Sequence, residues 1–201
     1  MNARLPAAER RKQLLGVARR VFAIHGYRGA SMESIAEAAG VTKPVLYQHF
    51  SSKKALYSSL LDADIAELRH ALEHAFTHAE SNEDRFKQGF LAYVEFVDAH
   101  EDAYRLLFSG GTVDSEFQQR VNRMRSWVAS RITSIIQAEA MLPALRAKTL
   151  AIAIVGMAES TASWWLSENR PLPVADLADE LAGLAWKGFA RFPRSADSGS
   201  A

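Results

Sequence analysis

The chain is predicted to be all-α, with an N-terminal three-helix domain followed by a larger C-terminal helical bundle, about nine helices in total. Two observations predict this class. Apolar residues recur at intervals of three and four along nearly the whole chain, which is the spacing of one helical face. No segment shows the convincing alternation of apolar and polar residues that is typical of a half-buried strand.

The first predicted helix has its apolar face at Leu14, Leu15, Ala18, Val21 and Phe22. We expect it to end at Gly26, because glycine adopts the left-handed conformation found at helix ends without a steric cost. The predicted boundary between the helix and the next segment therefore lies near this glycine.

Residues 31–56, SMESIAEAAGVTKPVLYQHFSSKKAL, predict two short helices joined by a tight turn. Ser31 stands at an N-cap position, and Met32, Ile35, Ala36 and Ala39 follow the spacing of one face of the helix behind it. A left-handed glycine, Gly40, is expected to end this helix.

The next short helix is expected to begin after Thr42, which can act as its cap. Pro44 is tolerated in a first turn, since the amides there have no intrahelical partner. Leu46 and Phe50 are four residues apart and would anchor the helix inward, so that its other side chains project outward. Two short helices with a glycine turn form the geometry that lays one helix in the DNA major groove.

Several runs in this region resemble the DNA-binding domain of TetR-family transcriptional regulators. They are Ile35-Ala36, Ala39-Gly40-Val41-Thr42, Leu46-Tyr47, His49-Phe50 and Lys53 to Leu56, with Phe22-Ala23, Gly26-Tyr27 and Ala30-Ser31 upstream. The resemblance covers about residues 8–60 and implies two sets of DNA contacts. Base-facing positions would be Thr42, Lys43, Pro44, Val45 and Gln48, and phosphate-contacting positions would be Ser31, Tyr47, His49 and Lys53.

The distribution of charge also indicates a nucleic-acid partner. Residues 1–60 contain ten Lys and Arg but three Asp and Glu, a local net charge of +7. The remaining residues contain 14 basic and 20 acidic side chains, a net charge of −6. A basic domain of this kind neutralises phosphates and releases counterions, which gives affinity for DNA of any sequence.

Beyond this region the apolar periodicity predicts six further helices. The sequence there contains no motif that we can match to a known family. The fourth helix would carry Leu56, Leu60, Leu61, Ile65, Leu68, Leu72 and Phe76, and a short sixth helix would break at Gly110-Gly111. The predicted domains are residues 1–55 for DNA binding, 56–193 for effector binding and dimerisation, and 194–201 as a disordered tail.

The eighth and ninth helices predict a homodimer. The eighth is apolar around most of its circumference and rich in small residues, which allow close helix approach. This pair resembles the two-helix dimer face of TetR-type regulators; the alternative is the core of a purely intramolecular bundle. The predicted interface residues are Ala153, Gly156, Met157, Trp165, Leu177, Leu181 and Leu184.

Aromatic residues collect in the middle of the chain and predict a chamber for a small apolar or amphipathic effector. Ordinary core packing is the competing interpretation, and the family resemblance is what favours a pocket. The predicted effector-binding residues are Tyr93, Tyr104, Phe108, Phe117, Met124, Trp127, Ser160, Thr161 and Trp164.

Metal and cofactor sites are not expected. His70, His74 and His78 recur at every fourth position and share one helical face, but that face lies opposite the Leu68, Leu72 and Phe76 stripe and should face solvent. The chain contains no cysteine to complete a metal site or form a disulfide. No nucleophile elbow, phosphate loop or carboxylate pair supports an enzyme.

We expect a cytoplasmic protein, because the basic N-terminus has no apolar run behind it and the longest uncharged run, Thr149 to Ala158, is too short to span a bilayer. The sequence thus predicts a ligand-responsive repressor that binds a palindromic operator as a homodimer. The alternatives are an activator of the same fold and, from another class, a helical carrier or enzyme with an incidental basic domain.

Overall fold

The computed structural model of the chain describes residues 6–109 and 115–189, and within them the fold is all-α, as predicted. The helices are α1 (Ala7–Gly29), α2 (Met32–Ala38), α3 (Lys43–His49), α4 (Lys53–His78), α5 (Asn82–Ala99), α6 (Glu101–Tyr104), α7 (Ser115–Glu139), α8 (Ala144–Ser167) and α9 (Val174–Phe189). The described part contains no β-strand. The predicted break at Gly110-Gly111 and the predicted disordered tail at 194–201 lie outside the described residues.

The chain forms two compact units. The first unit comprises the described residues of Met1–Glu67 and Asp102–Gln119, and the second those of Leu68–Glu101 and Arg120–Ala201. α6, from Asp102, and the first residues of α7 belong to a compact unit with the N-terminal helices, and the division at residues 55 and 56 stays a prediction about function. Both α4 and α7 contribute residues to each unit.

The first unit has a core made by the predicted apolar face of α1 and by α2, α3 and α4. Leu14, Ala18 and Phe22 are at most 1% exposed, and α1 kinks at Gly26, whose φ is +66°. Arg19 of α1 also forms an ion pair with the fully buried Asp64 of α4. This pair joins α1 to α4 inside the apolar core, because a buried carboxylate needs a cation that compensates for its lost hydration.

Four aromatic rings complete the first unit. Phe22, Tyr27, Tyr57 and Phe117 lie with ring centroids 4.7–5.3 Å apart in four of their pairs. Burial, together with the Asp64 carboxylate, raises the pKa of Tyr57 to about 12, so this phenol stays neutral. Phe117, predicted to contact an effector, is 1% exposed and belongs to this cluster.

A π-helical turn, Arg105–Ser109, follows α6 in the first unit, where the sequence pattern predicted only a short α-helix. Leu106 and Leu107 are buried on this turn. A π turn contains one more residue than an α-helical turn and therefore changes which side chains face inward. Apolar spacing of three and four residues in the sequence does not show such a change.

The second unit is built around α5, which packs against α8 and α9. The predicted apolar face of α5 is buried as expected, with Val94 and Val97 fully inaccessible. Gly89 permits the close approach of α4, since a Cβ there would lie 2.7 Å from Cε1 of Phe76. No described helix is both long and apolar enough to cross a bilayer.

Arg170 fixes the connector between α8 and α9 to the end of α5. Its guanidinium lies 2.7 Å from a carboxylate oxygen of Asp98 and 2.9 Å from one of Glu101. These hydrogen bonds raise the pKa of Arg170 above its usual value. Asn169 and Arg170 both have positive φ, +56° and +59°, a conformation that costs free energy in residues other than glycine. The two ion pairs help to hold this turn.

Candidate nucleic-acid interface

The first of the two short helices, α2, begins with reciprocal capping. The Ser31 hydroxyl accepts a hydrogen bond from the Ser34 amide, and the Ser34 hydroxyl accepts one from the Ser31 amide, both at 3.0 Å. The predicted cap at Ser31 is therefore confirmed. The role of Ser34, which stands where a glutamate or glutamine is usual in such a capping box, was not predicted from the sequence.

The turn after α2 is fixed by Gly40. Its φ is +63°, the left-handed value predicted for this position. The Val41 amide donates to the Ala36 carbonyl at 3.0 Å and closes the end of the helix. Thr42 stands at the N-cap of α3, but its side chain makes no capping hydrogen bond, so the predicted capping role of its hydroxyl is wrong. Its side chain is exposed.

Two anchors set the rotation of α3. Leu46 is fully buried and Phe50 is 3% exposed, and Met32 and Ile35 of α2 are buried in the same unit. The outward side of α3 carries the residues that the resemblance assigned to base contacts. Of these, Thr42, Lys43, Pro44 and Gln48 are exposed and Val45 is half-buried.

The predicted phosphate-contacting residues differ in their surroundings. Tyr47 is 44% exposed, Ser31 is exposed, and His49 is half-buried. The Lys53 ammonium donates hydrogen bonds to the carbonyls of Tyr27 and Ala30, both at 2.9 Å. It also lies 4.7 Å from the centroid of the Tyr27 ring. An intramolecular role for Lys53, which holds the start of α4 to the end of α1, was not predicted.

Other basic residues of the first unit divide into paired and solvent-facing groups. Lys54 pairs with Glu116 at 2.9 Å, and the Arg11 guanidinium lies over the Phe50 ring at 4.7 Å from its centroid. The side chains of Lys12, Arg20 and Arg28 are exposed. The excess of positive charge predicted from the sequence therefore includes cations that are available to a polyanion.

The predicted effector-binding residues are divided between the two units. In the second unit, Tyr93 and Met124 are buried, and Trp127 and Thr161 are half-buried. In the first unit, Tyr104 is buried and Phe108 lies beside it, with ring centroids 5.2 Å apart. Ser160 is exposed and Trp164 is 47% exposed. Exposed side chains do not line an enclosed chamber, so these two positions are not expected there.

The predicted dimer residues also divide by burial. Ala153, Gly156 and Leu184 are exposed, and Met157 is half-buried. In contrast, Trp165, Leu177 and Leu181 are at most 5% exposed within the chain, and Trp165 Nε1 donates to the Leu172 carbonyl at 2.8 Å. Trp165, Leu177 and Leu181 therefore belong to the core of the second unit and offer no surface to a partner.

The histidine row on α4 faces solvent, as expected. His70, His74 and His78 are exposed, and the rings of His74 and His78 stack with centroids 4.1 Å apart. Among the described residues, no group of three or more His, Asp or Glu side chains could hold a metal ion.

Comparisons with known proteins agree with this geometry. Residues 14–60 match the family described as "Bacterial regulatory proteins, tetR family", and residues 83–188 match "Tetracyclin repressor-like, C-terminal domain". The chain is 33% identical over 191 residues to the HTH-type transcriptional activator FasR of Mycolicibacterium smegmatis (strain ATCC 700084 / mc(2)155), covering 94% of this chain and 87% of that protein.

Two solved structures share the fold. One is a TetR-like transcriptional regulator from Rhodococcus sp. RHA1, with a TM-score of 0.82 and 26% identity over 94% of this chain and 100% of that one. The other is the regulator FadR from Bacillus subtilis in complex with stearoyl-CoA, with a TM-score of 0.73 and 15% identity over 88% of this chain and 98% of that one. The second likeness concerns the fold alone.

Lys53→Met is expected to lower both stability and DNA affinity. The substitution keeps the aliphatic chain but removes the donor to the Tyr27 and Ala30 carbonyls, which should cost about 1–3 kcal/mol of unfolding free energy. Binding should weaken equally on all duplexes. Urea unfolding and salt-dependent anisotropy measure the two effects. Lys12→Met, at an exposed position of α1, is the control; equal stability of both variants would exclude a structural role for Lys53.

Gln48→Ala is expected to reduce sequence discrimination. Gln48 is exposed on the outward side of α3, and loss of a direct base contact costs about 1–3 kcal/mol on the cognate sequence. Fluorescence anisotropy would compare a duplex selected from a random pool with a scrambled duplex. Gln13→Ala on α1 is the matched control, and it should change the affinity for neither duplex. Equal losses on the two duplexes would remove Gln48 from the base-reading set.

Proposed function

The chain belongs to the TetR family of bacterial regulatory proteins, and from this premise we propose that it represses transcription by binding a palindromic operator as a homodimer until an effector releases it. Its coarse function is that of a DNA-binding transcriptional regulator and not of an enzyme. The proposal adds that the chain forms a homodimer, that its operator is palindromic, that it represses transcription, and that an effector ligand releases it from DNA.

The observation that carries the DNA-binding step is the orientation of α3. Leu46 and Phe50 are buried on one side, so Lys43 and Gln48 face solvent on the other. A seven-residue helix with exposed polar residues, on a unit with excess positive charge, fits the major groove and the phosphates on either side of it.

Dimerisation is supported by apolar surface that the chain leaves exposed on α8 and α9. Ile152 is 56% exposed and Leu184 is 65% exposed. A Cβ at Gly156 would have no atom within 4 Å, so this part of α8 is open to a partner. A two-fold dimer would present two copies of α3 to a palindrome, with half-sites one helical turn of DNA apart.

Repression requires only that the bound dimer occupies a promoter, and the family description of residues 83–188 names a repressor-like domain. Activation is the second candidate function. It is favoured by the name of FasR, an activator that matches along 94% of this chain. A repressor and an activator of this fold would make the same contacts with DNA, and they would differ in where the operator lies relative to the promoter.

Gly156→Arg is expected to abolish dimerisation and operator binding while the monomer stays folded. The open space at Gly156 accommodates the side chain in the monomer, but an unpaired charge would be buried in an interface. Sedimentation velocity, circular dichroism and a promoter reporter measure assembly, folding and the sign of regulation. Glu95→Arg, at an exposed position of α5, is the control.

The wild-type chain is expected to lower reporter expression, and Gly156→Arg should restore it. A wild-type increase in expression that the variant abolishes would establish activation. A stable Gly156→Arg dimer would place the interface elsewhere.

An apolar or amphipathic effector is proposed to bind the second unit. Tyr93 and Met124 are buried there, with Trp127 and Thr161 half-buried. Because α4 and α7 each contribute residues to both units, binding in the second unit would be coupled to the first unit, which contains α3, through these two helices. The FadR structure with stearoyl-CoA supplies a probe of suitable chemistry.

Stearoyl-CoA is expected to raise the melting temperature and to weaken operator binding. A ligand at about 100 times its Kd stabilises the native state by about 2.7 kcal/mol, which corresponds to a shift of about 5 °C or more for a chain of this size. Differential scanning fluorimetry and anisotropy measure both effects, with free CoA as the control. Equal shifts with CoA would contradict recognition of the apolar chain, and a shift without loss of DNA binding would contradict induction.

A further inference from the structure

An exposed ion pair joins α2 to the start of α3. Nζ of Lys43 lies 4.0 Å from Oε2 of Glu33, and the two side chains are 52% and 79% exposed. Glu33 lies in the first turn of α2, and Lys43 is the first residue of α3. An ion pair this exposed contributes little to stability, because water screens both charges. Either group can therefore leave the other for a stronger partner.

The pair lies at the end of α3 that is expected to enter DNA. In helix-turn-helix proteins the N-terminal residues of the recognition helix contact base edges in the major groove. Burial of Leu46 and Phe50 turns the opposite side of α3 to solvent, and Lys43 is exposed at its start. Because Glu33 approaches Lys43, its carboxylate belongs to the same surface, although the sequence analysis assigned it no contact with DNA.

The direction of Glu33 is set by the packing of α2. The residues Met32 and Ile35 are 6% and 0% exposed, so the position between them that carries Glu33 faces outward. The reciprocal hydrogen bonds between Ser31 and Ser34, both at 3.0 Å, hold the first turn of the helix. The carboxylate therefore projects from a well-ordered turn.

An acidic side chain at this position opposes general affinity for DNA. Residues 1–60 contain only three acidic side chains beside ten basic ones, and a carboxylate is repelled by phosphates. An ionised carboxylate only accepts hydrogen bonds. It is repelled by O6 and N7 of guanine and by O4 of thymine, and it can accept from the N4 amino group of cytosine. A cost in affinity would thus be returned as discrimination between bases.

Lys43 has the complementary chemistry. Its ammonium only donates hydrogen bonds, and it suits the adjacent O6 and N7 acceptors of guanine. A C·G pair therefore offers two acceptors to Lys43 and one donor to Glu33. In an A·T pair the amino group of adenine lies between two acceptors, which repel a carboxylate. The donor and acceptor of the ion pair match the C·G pair better.

We propose that Glu33 reads a cytosine in each operator half-site by accepting a hydrogen bond from its N4 amino group, while Lys43 donates to the guanine paired with it. This inference rests on the proposed operator and adds a residue of α2 to the base contacts of α3. On binding, each charged group exchanges a weak, exposed contact with the other for a hydrogen bond to a base edge.

Glu33→Gln tests the contact with little change in shape. A glutamine accepts from N4 of cytosine and also donates to O4 of thymine, so it should no longer separate these two bases. Glu37→Gln, at an exposed position one turn further along α2, removes the same charge and is the matched control. The full-length wild-type chain and both variants each select duplexes from a random pool, and urea unfolding compares their stabilities.

Wild type and Glu37→Gln are expected to select a C·G pair at one position of each half-site, where Glu33→Gln should also accept T·A. Measured by anisotropy, a change of this pair to T·A should weaken binding about tenfold or more in wild type and Glu37→Gln, and at least about threefold less than that in Glu33→Gln. Both variants should bind a scrambled duplex more tightly than wild type, since each has lost a negative charge.

A modified base tests the same contact without altering the protein. 5-Methylcytosine has the C5 methyl group of thymine but keeps the N4 amino group, so wild-type affinity should stay within about threefold of that for cytosine. A loss as large as the loss with thymine would show that the methyl group is sensed, and it would overturn the proposed contact with N4.

Two further results would overturn the role of Glu33. One is an identical selected sequence and an equal loss with T·A in all three chains. The other is an equal loss for Glu33→Gln on every duplex together with a lower urea midpoint, which would assign Glu33 to stability alone. A selected sequence without inverted symmetry would instead contradict the palindromic operator, while a C·G preference missing only in Glu33→Gln would still support the contact.

Discussion

The inward anchoring of α3 is the constraint on which the DNA-reading surface depends. A helix of seven residues is too short to be stable alone, so its rotation is decided by the burial of Leu46 and Phe50. Successive residues point about 100° apart around a helix. Once these two side chains face the core, the directions of Lys43 and Gln48 follow. Their exposure, on which the proposed base contacts depend, is therefore a consequence of packing in the first unit.

Two cations of the first unit also support the packing of its helices, a role that the net charge of the unit does not show. Arg19 is paired with a fully buried carboxylate, and Lys53 is bonded to two backbone carbonyls. Both side chains hold α4 to α1. The Arg19–Asp64 pair adds little net stability, because the attraction between its charges is offset by their lost hydration, but removal of Arg19 would leave the Asp64 carboxylate buried without its cation. The positive charge of the first unit thus includes cations that join α4 to α1 and cations that face solvent.

The sequence was sufficient for the features that depend on local spacing. The apolar faces of α1 and α5, the cap at Ser31 and the left-handed Gly40 are set by neighbours within one or two turns, and all were predicted. Features that join distant segments were not. Lys53 contacts backbone 23 and 26 residues away, and Phe117 joins rings of α1 and α4. No periodicity in one segment contains information about such partners.

The surface of α8 and α9 is a second example of what local spacing in the sequence cannot show, and here it concerns the proposed dimer. A helix that is apolar nearly all round was predicted to be buried on two sides, but spacing could not assign each residue to the chain's own core or to a partner. The structure separates them: Trp165, Leu177 and Leu181 are buried, whereas Ile152 and Leu184 are exposed.

In the proposed homodimer, burial limits the interface to the second group, and Gly156 and Gly183 have open space beside these aliphatic residues. Small residues contribute little apolar area themselves, but they let another helix come close enough for Ile152 and Leu184 to be covered. Coverage of two large aliphatic side chains per subunit stabilises an assembly only where charged neighbours are also matched, since an unmatched charge in the contact would offset the gain. The charged residues beside Ile152 and Leu184 are therefore as important to the proposed homodimer as its apolar surface.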